Sequence, residues 1–160
     1  MNTLSIVHDF LRRTVRPGSL CIDATAGKGR DTALLCELAG DTGRVLAFDV
    51  QEDAVRQTKA LLAAQGRHAE VLLESHANME RYAQPESVDC IVFNDAGLRL
   101  LKPGGAMALA IYYGGENGYG ERDAILAHLR TLDDRRYSVL LCDWANRKQC
   151  LYDFLLGQTI

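Results

Sequence analysis

Short runs rich in valine, isoleucine and leucine alternate along the chain with longer segments of helical spacing. This is the pattern of a mostly parallel sheet with helices on both faces. Residues 2–14 put Leu4, Val7, His8 and Leu11 on one helical face, and Pro17-Gly18 stops that helix before the run Leu20-Cys21-Ile22. The spacing predicts a second helix from about 29 to about 39, a second strand over 44–48, a third helix over 53–65 and a third strand over 69–73. An irregular stretch through His76 and Tyr82 to Pro85 leads to a fourth strand over 88–93. After Pro103-Gly104-Gly105, the nearly unbroken apolar run 106–112 reads as a central strand buried on both faces. A glycine-rich loop over 114–120, a helix over about 121–132, and strands over 137–142 and 150–156 joined by the polar bend 143–148 complete a seven-stranded α/β pattern.

One interval breaks the rhythm. Only 95–104 separates the fourth strand from the fifth, at the lower limit for a right-handed crossover between parallel strands. A helical layer is therefore shortened there, by a natural deletion or because a loop and helix are absent from this sequence.

Composition narrows the class without naming an activity. A chain of 160 residues, 48% apolar and 24% charged, is expected to form a single domain over 1–160, burying roughly 70% of the surface its unfolded form exposes. Disordered, collagenous and coiled-coil classes are excluded. No apolar run approaches the roughly 18–20 residues that span a bilayer, so no membrane partner is expected and the cytoplasm is the expected location. The cysteines (Cys21, Cys36, Cys90, Cys142, Cys150) are odd in number and lack C-x-x-C spacing, which suits reduced core residues. No histidine spacing suggests a metal. The net charge of −3 argues against coating nucleic acid by charge alone. Two small basic spots, Arg12, Arg13 and Arg16, and Arg135, Arg136, Arg147 and Lys148, offer phosphate contacts or simply solvated surface. The apolar carboxyl-terminal strands leave a homodimer open.

The chemistry concentrates in Leu20-Cys21-Ile22-Asp23-Ala24-Thr25-Ala26-Gly27-Lys28-Gly29-Arg30-Asp31-Thr32, a strand running into a glycine turn and then a helix. Such a turn lets a ligand approach the backbone, and the helix beyond it offers free N–H groups. Asp49 follows Gly29 by twenty residues at the end of the second strand, the position from which a carboxylate accepts from both ribose hydroxyls. Thr32 stands where a third dinucleotide glycine would be, which disfavours a pyrophosphate. Asp23 suits a cofactor bearing an ammonium group, pointing to S-adenosylmethionine; a carboxylate that only ties the turn together is the alternative.

These residues, with Phe48-Asp49-Val50-Gln51, Ser75-His76, Phe93-Asn94, Leu101-Lys102-Pro103-Gly104-Gly105 and Tyr112-Tyr113-Gly114-Gly115, occur in an order that resembles a family. It is that of small single-domain class I methyltransferases of the rRNA methylase type, assigned to the 5-aminomethyl group of the tRNA wobble uridine. The resemblance implies a Rossmann-like fold with S-adenosylmethionine as cofactor and the anticodon region of tRNA as partner. It implies that Asp23, Ala24, Gly27 and Gly29 line the methionine side, with Asp31 and Thr32 of the same motif among the cofactor-binding residues. Asp49, Val50 and Gln51 would hold the ribose and adenine, Ser75 and His76 would close over the adenine end, and Asn94 would face the reacting methyl. The sequence departs from the family where Asp95-Ala96-Gly97 passes straight to Leu98, the region that shapes the acceptor pocket.

Methyl transfer from a sulfonium is an in-line displacement, so the protein chiefly positions an unprotonated acceptor. The amide oxygen of Asn94 can accept from an amine at the carboxyl end of the fourth strand, although an asparagine there also ends strands by bonding its own backbone. Tyr112 and Tyr113 offer stacking to a base. His76 is either an adenine contact or a structural hydrogen-bonding residue. The loop over 114–120 is a candidate lid or a plain connection. A small-molecule methyltransferase and a non-catalytic cofactor-binding module remain as alternatives.

Overall fold

A computed structural model describes residues 3–92, 95–112, 118–142 and 151–158. Its elements are α1 (Thr3–Thr14), β1 (Leu20–Asp23), α2 (Arg30–Ala39), β2 (Arg44–Asp49), α3 (Glu52–Ala64), β3 (Glu70–Leu73), β4 (Val88–Val92), β5 (Leu101–Tyr112), α4 (Gly118–Leu129), β6 (Tyr137–Cys142) and β7 (Leu151–Gln158), with 3-10 segments at His76–Arg81 and Asp95–Arg99. The seven strands form one sheet in the order β3-β2-β1-β4-β5-β7-β6. The first five run parallel, and β7 pairs antiparallel with both β5 and β6. Strand order reverses beside β1, which sets the ligand crevice at the carboxyl ends of β1, β2 and β4.

Apolar spacing on each element decides which face it covers. Val7 and Leu11 of α1 and Leu34 and Leu35 of α2 pack with Val45, Cys90 and Ala108, while Val55 and Leu62 of α3 pack with Ala47 and Val71. The opposite face gathers Ile22, Phe48, Ile91 and Met107 under Met79, Leu98, Leu100 and Leu129. Tyr82 meets the Phe48 ring edge-on at 5.3 Å between centroids, a favoured aromatic geometry. Cys21 and Cys90 are buried, and Cys21, Cys36, Cys90 and Cys142 are free thiols. Among the described residues no helix is long and apolar enough to cross a membrane. β6 is the outer strand at one edge of the sheet and exposes Val139, Leu140 and Leu141.

The shortened crossover is built by putting glycine where the chain must touch the sheet. A Cβ on Gly97 would lie 2.6 Å from Ile91 Cδ1 and 3.4 Å from Met107 Cε. Without one, the 3-10 segment rests directly on the core, and the Leu100 amide donates back to the Gly97 carbonyl at 2.9 Å. The fifth strand then begins at Leu101, five residues before the expected start, because Leu101 pairs with Val88 ahead of a bulge. The register resumes at Cys90↔Ala106, so Lys102-Pro103-Gly104-Gly105 forms the bulged stretch and hides the strand from an apolar pattern. Gly105 is pressed there against backbone, with an added Cβ at 2.8 Å from Lys102 O and 2.9 Å from Val88 O. Lys102 Nζ pairs with Asp89, whose other oxygen accepts from the Leu20 amide at 2.9 Å. One carboxylate thus ties together the beginnings of β1, β4 and β5.

α4 spans Gly118–Leu129 instead of 121–132. Thr131 closes it by donating its hydroxyl to the His128 carbonyl at 2.6 Å. The three glycine-loop residues at 118–120 belong to its first turn, and the remainder of the candidate lid lies outside the described residues.

Gly105→Ala is expected to destabilise the protein by about 2–3 kcal/mol, because its neighbours are backbone atoms that cannot yield. Gly97→Ala is expected to cost less, since the Ile91 methyl can rotate away. Urea unfolding of the two variants beside the parent protein tests the order.

Candidate cofactor and acceptor site

The glycine turn is fastened to the strands on either side of it. The Ala24 amide donates to Val92 O at 3.0 Å and the Ala26 amide to Phe48 O at 2.8 Å, so 24–29 bridges the carboxyl ends of β4 and β2. Its two glycines have different physical reasons. Gly27, at φ 53°, has nothing nearer an added Cβ than Thr25 O at 3.8 Å, and its side facing the crevice is open. Gly29, at φ 77°, would drive a Cβ to 2.9 Å from the Thr58 Cα on α3. The close packing of α3 on this position is by itself sufficient reason for glycine here.

Asp49, at the end of β2, reaches the same turn. Oδ2 accepts from the Gly27 amide and Oδ1 from the Gln51 amide, each at 2.9 Å. These bonds orient the carboxylate and use about half of its roughly four acceptor positions, leaving capacity for a vicinal diol. Val50 beside it is 68% exposed and Leu73, in register with Asp49 on β3, is 52% exposed. Apolar side chains left in solvent next to a polar clamp suit a flat heteroaromatic ring. Glu74 follows Leu73, donates its amide to Asp49 O at 3.0 Å, and accepts through Oε1 from the Ser75 amide and Asn78 Nδ2. Those two bonds, the Asn78 one larger, hold its carboxyl below the usual range. Sequence reading passed over Glu74; the available signal was an acidic residue directly after strand three, as Asp49 ends strand two.

Asp23 is 1% exposed at the end of β1. Oδ2 accepts from the Thr32 hydroxyl at 2.5 Å and Oδ1 from the Thr25 amide at 3.2 Å. Burial pushes its pKa up to about 6, against the lowering effect of the Thr32 bond. Thr32 is itself fully buried and donates its hydroxyl to Asp23. Asp31 Oδ1 lies 2.7 Å from His8 Nε2 on α1. Ser75 caps the following 3-10 segment by accepting from the Ala77 amide at 3.2 Å, and half-buried His76 begins that segment. Tyr112 ends β5, next to β4 in the sheet. Asn94 and Tyr113 lie outside the described residues.

Arg12, Arg13 and Arg136 lie toward the amino ends of the parallel strands, away from the crevice. Arg12 and Arg13 occupy the last turn of α1, and just beyond them Gly18 bonds Ala39 at the far end of α2. Arg12 pairs with Asp9, and Arg136 pairs at 2.9 Å with Glu86, just before β4. Arg147 and Lys148 lie outside the described residues.

A solved structure from Clostridium thermocellum, described as a "putative rRNA-methylase", superposes with a TM-score of 0.91 at 28% identity, covering 100% of this chain and 98% of that one. A Streptococcus mutans protein described as "a putative methyltransferase", solved in complex with SAH, superposes at 0.86 with 27% identity, covering 99% and 98%. The fold is the Rossmann-like fold of class I methyltransferases. The family described as "Putative rRNA methylase" matches over residues 45–94 and 95–156, and this chain belongs to it. The two matched stretches meet between Asn94 and Asp95, at the shortened crossover. A curated relative, the chloroplastic tRNA (mnm(5)s(2)U34)-methyltransferase of Arabidopsis thaliana, is 27% identical over 155 residues, taking in 76% of this chain and 57% of that protein. The chain spans just over half the length of that relative.

The raised Asp23 pKa sets a pH dependence. The folded state holds the Asp23 proton more tightly than the unfolded chain, whose carboxyl titrates near 3.8. The resulting stabilisation is present below pH 4, is lost as pH rises through about 6, and stays lost above it. Urea unfolding across pH 3.5–8 should therefore show the parent losing stability relative to Asp23→Asn over that window, by on the order of 3 kcal/mol at most. A difference that is flat with pH, or rises, contradicts the assignment.

Proposed function

We propose that the chain transfers a methyl group from S-adenosylmethionine to a nitrogen on RNA, and that the acceptor is the 5-aminomethyl group of a tRNA wobble uridine. The observation that carries the cofactor half is the Asp49 carboxylate, oriented by the Gly27 and Gln51 amides with acceptor capacity to spare. In this reading Asp49 takes the ribose hydroxyls and Val50, Gln51, Ser75 and His76 border the adenine. Asp23 and the backbone of Ala24, Gly27 and Gly29 border the methionine end. At neutral pH Asp23, with a pKa of about 6, is ionised and attracts the cofactor's ammonium group. The cofactor supplies an electrophilic methyl on a sulfonium; the protein's task is to orient the acceptor and relieve it of a proton. That task is assigned to Asn94, two residues beyond the last residue of β4, with Tyr112 and Tyr113 supporting the base.

The RNA half is supported by the family and by the curated tRNA-modifying relative. The crossover adds a physical argument. Small-molecule sites enclose most of their ligand, and here the stretch 97–100 is committed to the core through Gly97, Leu98 and Leu100. An acceptor embedded in RNA brings its own surroundings and asks less enclosure of the protein.

Calorimetric titration of S-adenosylhomocysteine is expected to show binding by the parent and a loss of roughly a hundredfold or more in Asp49→Ala, since two charge-assisted hydrogen bonds disappear. Labelled cofactor with tRNA carrying the unmethylated aminomethyl uridine should place label in the wobble nucleoside. Cofactor binding without label in that nucleoside would leave the methyltransferase and remove the wobble assignment.

A further inference from the structure

Methyl transfer to an amine releases a proton, and Asn94, Tyr112 and Tyr113 offer that proton no base. An asparagine amide can align an amine by accepting one of its N–H groups, but it does not take up a proton at neutral pH. Histidine is the side chain whose ordinary pKa suits that step. Among the described residues one histidine meets a carboxylate: His8 Nε2 lies 2.7 Å from Asp31 Oδ1. An ionised carboxylate only accepts, so Nε2 carries the hydrogen and, in the neutral ring, Nδ1 keeps its lone pair. Nδ1 has no hydrogen-bond partner among the described residues. The two side chains are 21% and 30% exposed, so a proton taken up there can pass to water.

The fold sets this pair at the crevice. Arg12 and Arg13 end α1 toward the amino ends of the parallel strands. Its earlier turns therefore lie toward the carboxyl ends, where His8 meets the first turn of α2 just after Gly29. α1 packs on α2, β5 and β7, and Val7, next to His8, shares a buried cluster with Val92, the last residue of β4, and Ala108 of β5. Asp49 and Thr58 lie across the glycine turn on the β2 side. A cofactor with its ribose at Asp49 that extends over the turn brings its methionine and sulfonium toward the α1 side.

We propose that His8, oriented by Asp31, is the general base of the transfer. The amine nitrogen forms its bond to the methyl as the methyl–sulfur bond breaks, and the bonding pair returns to sulfur. His8 Nδ1 takes the proton that the nitrogen gives up and passes it to water. The proposal rests on the amine-acceptor reading above and supplies the base that the reaction needs. Asp31 fixes the tautomer and the direction of the ring, as a carboxylate does in other histidine pairs, and is a positioning residue. A charged His8 that holds the cofactor's carboxylate is the competing outcome.

The test is single-turnover methylation of tRNA carrying the unmethylated aminomethyl uridine, at saturating cofactor, with calorimetric titration of S-adenosylhomocysteine reporting the fold and the cofactor site of each variant. His8→Ala and His8→Gln should each lose about a hundredfold or more in rate, with affinity for S-adenosylhomocysteine unchanged. Added imidazoles should restore His8→Ala, and the restored rate should rise with the basicity of the imidazole; refilling a packing gap would follow its size instead. Asp31→Asn should lose roughly tenfold, and Asp31→Glu should recover part of that loss. A parental rate in both His8 variants, or a rescue that ignores basicity, overturns this assignment and leaves the amine reading standing. A fall in cofactor affinity with the saturated rate unchanged overturns it in favour of the cofactor's carboxylate. A parent that methylates no amine on that tRNA overturns the acceptor reading and this assignment with it.

Discussion

Two backbone hydrogen bonds, Ala24 to Val92 and Ala26 to Phe48, suspend the glycine turn between β4 and β2. Everything at the site takes its position from them. They bring the Gly27 amide to the Asp49 carboxylate, set α2 off from the end of β1, and direct Asp23 inward beneath the turn. Because backbone N–H and carbonyl groups make these bonds, the arrangement depends on the sheet order and register more than on particular side chains in the turn.

Asp23 shows the cost of that arrangement. A carboxylate removed almost entirely from water accepts from the Thr32 hydroxyl and from the Thr25 and Thr32 amides, yet the desolvation outweighs these bonds and raises its pKa. Asp49 carries the same charge, half-exposed, with both oxygens already aligned by amides. The two carboxylates sit on adjacent strands and differ by environment alone: one buried and strained electrostatically, one solvated and preorganised. Placing the first beneath an ammonium-bearing ligand and the second beside its diol gives each the partner its environment suits.

The strand-helix alternation, the glycine turn and the spacing to Asp49 were legible in the sequence because each is a local pattern with one physical reading. The start of β5 was not, because a bulge containing proline and two glycines interrupts the apolar period while the strand continues through it. Gly29 looked like a ligand glycine, since nothing local reveals that Thr58 of a distant helix packs on it. Thr32 and Asp31 shared the motif of the site residues but point to Asp23 and His8, a distinction of side-chain direction that spacing does not carry. Basic clusters were visible as composition, yet that Arg136 pairs with Glu86, distant in the chain, depends on the fold.

The trimmed crossover also has a kinetic meaning. Parallel pairing is slow to form when its partners are far apart in sequence, since loop-closure entropy is lost before any contact is gained. Here Val88 meets Leu101 and Val92 meets Ala108, whereas β1 must wait for β4 with Cys21 opposite Cys90. β4 and β5 are the parallel strands with the shortest chain between them. With Gly97 already letting the connection lie on Ile91, the centre of this sheet can zip early as a local unit, and the long-range closure of β1 onto it becomes the event that completes both the core and the crevice.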